Sequence, residues 1–260
     1  GDYELTEGLS IGTSYSIQRE NEVTGEFYPS NAYFRGFNEQ GWAGRGTEEK
    51  TNELFELTGK YSTDFGNTSL NAVVGYSWNE LTEEGFVAIG RNYISNDITY
   101  NNLGFSTRKN VGDPNAVNSG RQQYRVIGFF GRVNLDIDDT YYVTLSARQE
   151  GSSRFGANNQ WGLFPAASAG VNISKLADLS GVDQLKLRVG FGQTGSLPPE
   201  SYISKFRYQQ KGNFYFNGGF VPAFSPQIND NPDLKWETKT EIDVGLDFAF
   251  MDYKVTGTLD

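Results

Sequence analysis

Residues Tyr124–Arg154 read YRVIGFFGRVNLDIDDTYYVTLSARQEGSSR, and their alternation decides the fold. In the second half, Tyr141, Val143, Leu145 and Ala147 fall on one side of an extended chain. Tyr142, Thr144, Ser146, Arg148 and Glu150 fall on the other. A period of two marks a strand with one apolar and one wet face. Upstream, Ile127, Phe129, Val133, Leu135 and Ile137 alternate with Gly128, Phe130, Arg132, Asn134 and Asp136, and only Asp138-Asp139-Thr140 separates the runs. The stretch is therefore an antiparallel hairpin whose arms exceed the usual length of a globular strand.

The same alternation recurs on both sides of it. Leu9, Ile11, Tyr15 and Ile17 form one apolar row, followed by Phe55, Leu57 and Tyr61, then Leu70, Ala72, Val74, Tyr76 and Trp78. Downstream come Ala167, Ala169, Val171 and Ile173, then Leu185, Leu187, Val189 and Phe191. Ile242, Val244, Leu246, Phe248 and Phe250 follow, and Tyr253, Val255, Gly257 and Leu259 begin a last run. The pattern predicts about nine strands and no helix. Long connections are expected near 20–51, 81–120 (which includes Asp113-Pro114), 155–162 and 196–233, and they alternate with short turns. All short turns then lie at one end of the sheet and all long loops at the other. Greek-key sandwiches have no reason to keep that asymmetry, whereas membrane barrels do. A strand of ~13 residues tilted by ~40° rises roughly 33 Å, enough to cross an apolar band of ~25 Å. The expected fold is all-β, an antiparallel transmembrane β-barrel. Tyr61, Phe65, Tyr141, Phe250 and Tyr253 gather at the short-turn ends, where an aromatic girdle belongs.

Composition narrows the chemistry. The chain of 260 residues has no Cys and no His, which removes disulfides, thiol nucleophiles, Ser-His-Asp triads and the usual zinc sets. A net charge of −10 argues against a nucleic-acid partner. Mean hydropathy is −0.53, and no run of eighteen apolar residues offers a helical span; a barrel, which uses every second residue for lipid, remains compatible. Gly1-Asp2-Tyr3-Glu4 is not a signal peptide, so the leader has been removed or the sequence is a piece of a longer chain. The acidic pairs Glu48-Glu49, Glu83-Glu84 and Asp138-Asp139 point apart in extended chain and make poor acid–base pairs. Asn229, Asp230, Asn231, Asp233 and Glu237 offer either hard oxygen ligands for Ca²⁺ or an Asn/Asp/Pro turn. Gly218-Gly219 lacks the Lys and helix of a phosphate cradle. No catalytic residue, metal or cofactor is expected.

The remaining candidates are aromatics of the long connections: Tyr93, Tyr100, Trp161, Phe214, Tyr215, Phe216 and Phe220, with Tyr208 and Phe224 beside them. Flat rings near Gln209, Gln210 and Asn213 can stack on sugars or hold an extended peptide. They can equally pack loop on loop or meet a partner protein.

Three segments carry a resemblance. Glu150-Gly151-Ser152-Ser153-Arg154-Phe155-Gly156 with Trp161-Gly162-Leu163-Phe164-Pro165 resembles the barrel signature of the SusC/RagA-type TonB-linked outer-membrane transporters. Leu187–Gly195, LRVGFGQTG, is similar to the family's next strand, and Asn231–Glu237, NPDLKWE, with Val244–Phe248 to its late-barrel motif. The resemblance covers roughly residues 120–260. It implies a barrel of about twenty-two strands, with a plug domain and further strands outside this sequence. It also implies TonB-dependent uptake of oligosaccharides or peptides across the outer membrane, with a SusD-like surface lipoprotein closing over the external loops and energy reaching the plug through the TonB complex. Two other readings compete: a secreted soluble β-sandwich that binds glycans or acts as an adhesin, and a glycosidase using two carboxylates about 5–10 Å apart.

Overall fold

The computed structural model describes residues 1–108, 116–177 and 179–260, so Asp113-Pro114 lies outside the described residues. The strands, in chain order, are β1 (Asp2–Thr6), β2 (Leu9–Tyr28), β3 (Trp42–Phe65), β4 (Thr68–Tyr93), β5 (Ser106–Arg108), β6 (Val117–Ile137), β7 (Tyr141–Ser152), β8 (Trp161–Asn172), β9 (Val182–Ser196), β10 (Arg207–Phe216), β11 (Gly219–Ile228), β12 (Glu237–Phe250) and β13 (Val255–Leu259). Two short helices, α1 (Arg35–Glu39) and α2 (Ile173–Leu176), sit in connections. One sheet runs β1-β2-β3-β4-β6-β7-β8-β9-β12-β13, with β5 on β4, while β10 and β11 form a separate hairpin. Sequence neighbours are thus sheet neighbours along the path, apart from the β5 and β10–β11 excursions.

The short turns are short for a backbone reason. Asp138 and Asp139 both have positive φ, as do Asn217 and Gly218 at the tip of β10–β11. Positive φ at both central residues matches the twist of a two-residue hairpin, and Asn, Asp and Gly reach that region most cheaply.

By contacts the chain divides into two compact units, one of residues 1–15, 54–79 and 125–260, the other of 16–53 and 80–124. In the first, the register extends the alternation into lateral rows. Val133 lies opposite Leu145, Leu145 opposite Ala167, Ala167 opposite Phe191, and Phe191 opposite Ile242. The next rows down are Leu135, Val143, Ala169, Val189, Val244 and then Ile137, Tyr141, Val171, Leu187, Leu246. On the other face the same strands align Asn134, Thr144, Ser168, Gly190 and Asp243. The apolar rows are not folded into an interior: Leu145 is 54% exposed and Ile242 76%. A monomer in water does not leave such a continuous apolar surface open.

The second unit corrects the expected loop boundaries. The stretch from 20 to 51 is not one loop: β2 continues to Tyr28 and β3 begins at Trp42. In 81–120, β4 continues to Tyr93 and β6 begins at Val117. These extensions hide in the sequence because polar residues occupy both faces, which erases the period of two while leaving the backbone ladder intact. Cross-strand polar pairs stitch them instead: Lys50 Nζ lies 3.8 Å from Glu83, Arg121 Nε 2.8 Å from Glu84, and Gln123 Nε2 donates to Glu80 at 2.7 Å. In 196–233 the excursion carries the β10–β11 hairpin; with β1 and β5 it brings the strands among the described residues to thirteen where about nine are expected. The 155–162 connection shifts to 153–160, since β7 ends at Ser152 and Trp161 opens β8.

Candidate functional site

The polar face of the first unit is a charged wall. Arg148 lies 2.6 Å from Glu150, donates to Ser77 Oγ at 3.1 Å, and holds its guanidinium 5.5 Å from the centre of the Phe130 ring. That ring lies against Gly75, where a Cβ would come within 2.3 Å of it. Arg188 grips both carboxylate oxygens of Asp247, at 2.8 and 3.1 Å, and reaches Asp260 at 2.9 Å. Lys186 stands 3.5 Å over the Tyr142 ring. Asn134, Thr144, Ser168, Lys186, Arg188 and Asp243 border a concavity of about 390 Å³ on this face. Fork-shaped Arg–carboxylate pairs and stacked cations hold a wet surface rigid without any proton-transfer constellation.

The three signature segments meet at one place, above this wall. Phe155, Phe164 and Trp236 form a small buried cluster, with ring centres of Phe155 and Trp236 4.5 Å apart. The Trp236 indole N–H donates to the carbonyl of Gln160 at 3.0 Å, and the Gly156 N–H to that of Leu234 at 3.1 Å. Arg154 donates to the Pro198 carbonyl at 2.6 Å, and the Ser204 hydroxyl to those of Arg154 and Phe155. A Cβ on Gly156 would stand 2.0 Å from the Pro232 oxygen, so the strand connection approaches too closely for any side chain. Within Asn229–Glu237, the Asn231 side chain accepts from the Asp233 N–H at 3.2 Å and Asn158 Nδ2 donates to Asp233 at 3.0 Å. That is the turn reading of this segment.

From this clasp the β10–β11 hairpin rises, and it collects four of the seven expected aromatics. Phe214 and Phe216 stand 6.1 Å apart, Tyr215 and Phe220 5.3 Å apart edge to face, and all are at least half exposed. Tyr208 and Phe224 are exposed on the same hairpin. Pro222 and Pro226 lie on β11, and the register slips between Gln210 and Asn213, where Gly212 has positive φ. Both outer edges are thereby poor templates for another strand.

The other three are placed differently. Tyr93, the last residue of β4, is buried at 8% exposure with its ring edge-on to Phe27, and Tyr100 lies over Gly25, so both pack against β2. Trp161 faces outward in the apolar row, stacked on Phe129 at 6.3 Å. Phe129 in turn meets Tyr76 at 5.3 Å, and Tyr76 meets Phe55 at 6.4 Å. These four rings form a belt across β3, β4, β6 and β8 at the loop end of the apolar band. Sequence reading placed a girdle only at the turn end, because Trp161 sits at a strand boundary and looked like loop. From Phe129 to Ile137 the band spans eight residues, about 20 Å at ordinary strand tilt. The hairpin itself carried an unread signal, Asn217-Gly218 between two aromatic runs.

Rows of this height, with aromatic rings at both ends and ions on the reverse face, define the wall of a membrane β-barrel. The family described as "TonB dependent receptor-like, beta-barrel" matches residues 1–260, and the chain belongs to it. TonB-dependent receptor P3 of Formosa agariphila is 32% identical over 269 residues, covering 99% of this chain and 25% of that protein. TonB-dependent receptor SusC of Bacteroides thetaiotaomicron is 27% identical over 263 residues, covering 96% and 24%. The chain thus spans about a quarter of these curated relatives. Among solved structures, the RagAB peptide transporter superposes with a TM-score of 0.83 at 20% identity over 99% of this chain and 28% of that one, a likeness of fold.

Proposed function

We propose that this chain is a barrel segment of a TonB-dependent outer-membrane transporter that imports oligosaccharides or peptides. A SusD-like surface lipoprotein covers the external loops, and the TonB complex acts through parts of the protein outside this sequence. The wall is a passive scaffold rather than an enzyme: lipid meets the rows led by Leu145 and Ile242, water and cargo meet the row of Arg188 and Asp247. The observation that carries this reading is the exposure of three successive apolar rows whose reverse face bears the bidentate Arg188–Asp247 ion pair. A soluble sandwich requires a second layer over those rows, and none covers them among the described residues.

Phe214, Tyr215, Phe216 and Phe220 are the residues proposed to touch cargo or the lipoprotein. Cells producing the full-length protein with Tyr215→Ala and Phe220→Ala should take up a labelled oligosaccharide or peptide pool about thirtyfold more slowly, as expected for losing two ring contacts of ~1 kcal/mol each. The amount of protein in the outer membrane should not change. Uptake by the unaltered protein that persists without TonB would refute the transporter reading.

A further inference from the structure

The β10–β11 hairpin pairs with no other strand among the described residues, and its two faces are not alike. Residues directly opposite across an antiparallel pair share a face. Tyr208 lies opposite Pro226, Gln210 opposite Phe224, Asn213 opposite Pro222 and Tyr215 opposite Phe220, so these pairs line one face. All of them are exposed, Phe220 most at 76%. Val221, Ala223 and Ser225 turn to the reverse face with Phe214 and Phe216, and these three are half-buried. The open face is ~20 Å long, the rise of six strand residues from Phe220 to Pro226.

The order of groups along that face describes a ligand. Down β10 come a ring, two amides and a ring: Tyr208, Gln210, Asn213, Tyr215. Tyr215 and Phe220 touch edge to face at 5.3 Å, which leaves ring faces uncovered. The side chains of Gln210 and Asn213 have no hydrogen-bond partner among the described residues. A molecule with apolar ring faces and polar edges fits this order. An extended peptide is caught differently, by main-chain hydrogen bonds along a strand edge. Pro222 and Pro226 lack that donor and the slip at Gly212 bends the other edge, so the surface favours a glycan.

Charge narrows the class. No Asp or Glu falls between Glu200 and Asp230, yet Lys205, Arg207 and Lys211 do, in a chain of net charge −10. Arg207 is paired with Glu200 at 4.0 Å. The ammonium groups of Lys205 and Lys211 have no partner among the described residues, and both residues are exposed. Lys205 precedes the hairpin at its base, and Lys211 sits in the register slip midway along β10. A flexible four-carbon stem lets either ammonium meet an anion laid along the face, and unpaired cations on an otherwise acidic chain are complementary to one.

We propose that this face binds an oligosaccharide whose sugars carry carboxylate or sulfate groups. The sugar rings stack on Tyr208, Tyr215, Phe220 and Phe224, while Lys205 and Lys211 meet the charges. The assignment rests on the cargo reading above and sharpens it: Tyr215 and Phe220 face cargo, and Phe214 and Phe216, on the reverse face, do not.

The full-length protein in detergent is titrated calorimetrically with oligogalacturonate and its uncharged methyl ester, with a sulfated oligogalactan and its desulfated form, and with oligoglutamate. In at least one glycan pair the charged member should bind about tenfold tighter, the scale of two exposed charge contacts. That preference should fade between ~0.01 and ~1 M salt, as the screening length drops from ~30 to ~3 Å. Lys205→Gln with Lys211→Gln should bring the charged and uncharged members to the same affinity, and Lys205→Arg with Lys211→Arg should keep them apart. Tyr208→Ala with Phe224→Ala should weaken both members alike. No preference in either pair, a preference that survives the double change to Gln, or oligoglutamate bound as tightly as the better glycan would each overturn the assignment. Because binding is read without uptake, a preference found in a protein whose uptake persists without TonB would keep this site and remove the transporter reading. TonB-dependent uptake confined to uncharged glycans would do the reverse.

Discussion

Ala167 and Ser168 are neighbours on β8, both exposed, at the middle height of the apolar band, and they point to opposite faces. Ala167 lies between Leu145 and Phe191; Ser168 lies between Thr144 and Gly190, in the row that ends at Asp243. Because both side chains are small, replacing either by Arg removes almost no packing and adds the same charge. Ala167→Arg puts that charge into hydrocarbon at a cost of ~2–4 kcal/mol, whereas Ser168→Arg puts it into the wet lumen near a carboxylate, at a cost of ~0–1 kcal/mol. In folding equilibria of the full-length protein in lipid vesicles, titrated with urea, the first substitution should lower the folding constant ~30- to ~700-fold and the second ~fivefold at most. An Ile127→Arg control at the interface should resemble Ser168→Arg. Equal losses for the adjacent pair, or a larger loss at Ser168, would refute the assignment of faces.

Further expectations concern the rim. Gly156→Ala drives a methyl to 2.0 Å from the Pro232 oxygen, so the clasp must open; a loss of ~1–3 kcal/mol, seen as faster amide exchange in 229–236 with β7 and β8 still protected, is expected. In the second unit, the Lys50 ammonium, 2.8 Å away, and a hydrogen bond with Glu83 hold the Glu48 carboxyl below its ordinary range. A depressed carboxyl stabilises the fold above its unfolded pKa of about 4.5 and loses that contribution as pH falls through the folded value, so amide protection at 48–50, taken relative to the intrinsic exchange rate at each pH, should fall only below about pH 4.5. Protection that fell instead between pH 5 and 7 would contradict this.

Which features were legible follows from what solvent each face meets. Where one side of a strand sees oil and the other water, as along Ile127–Ile137 or Ile242–Phe250, the sequence must alternate, and strand limits and faces could be read directly. Where both sides are wet, as in Glu20–Glu26 or Glu80–Glu84, nothing forces alternation, and strands that continue looked like loops. The clasp was legible as motifs, yet its meaning was not: only three dimensions show that Phe155, Phe164 and Trp236, from separate segments, form one cluster. Trp161 was misread because a residue at a strand's first position has no upstream alternation to assign its face. Tyr93 and Tyr100 shared the composition of a binding surface but are held as packing by Phe27 and Gly25.

The two prolines of β11 and the slipped register at Gly212 have a bearing on life at high surface density. An arm bearing six uncovered rings would, with smooth margins, zip to the same arm on an adjacent copy and grow into a stack. Missing amide donors along one margin and a kink along the other deny that route, so neighbouring molecules can stand shoulder to shoulder while each arm stays single and its rings stay free.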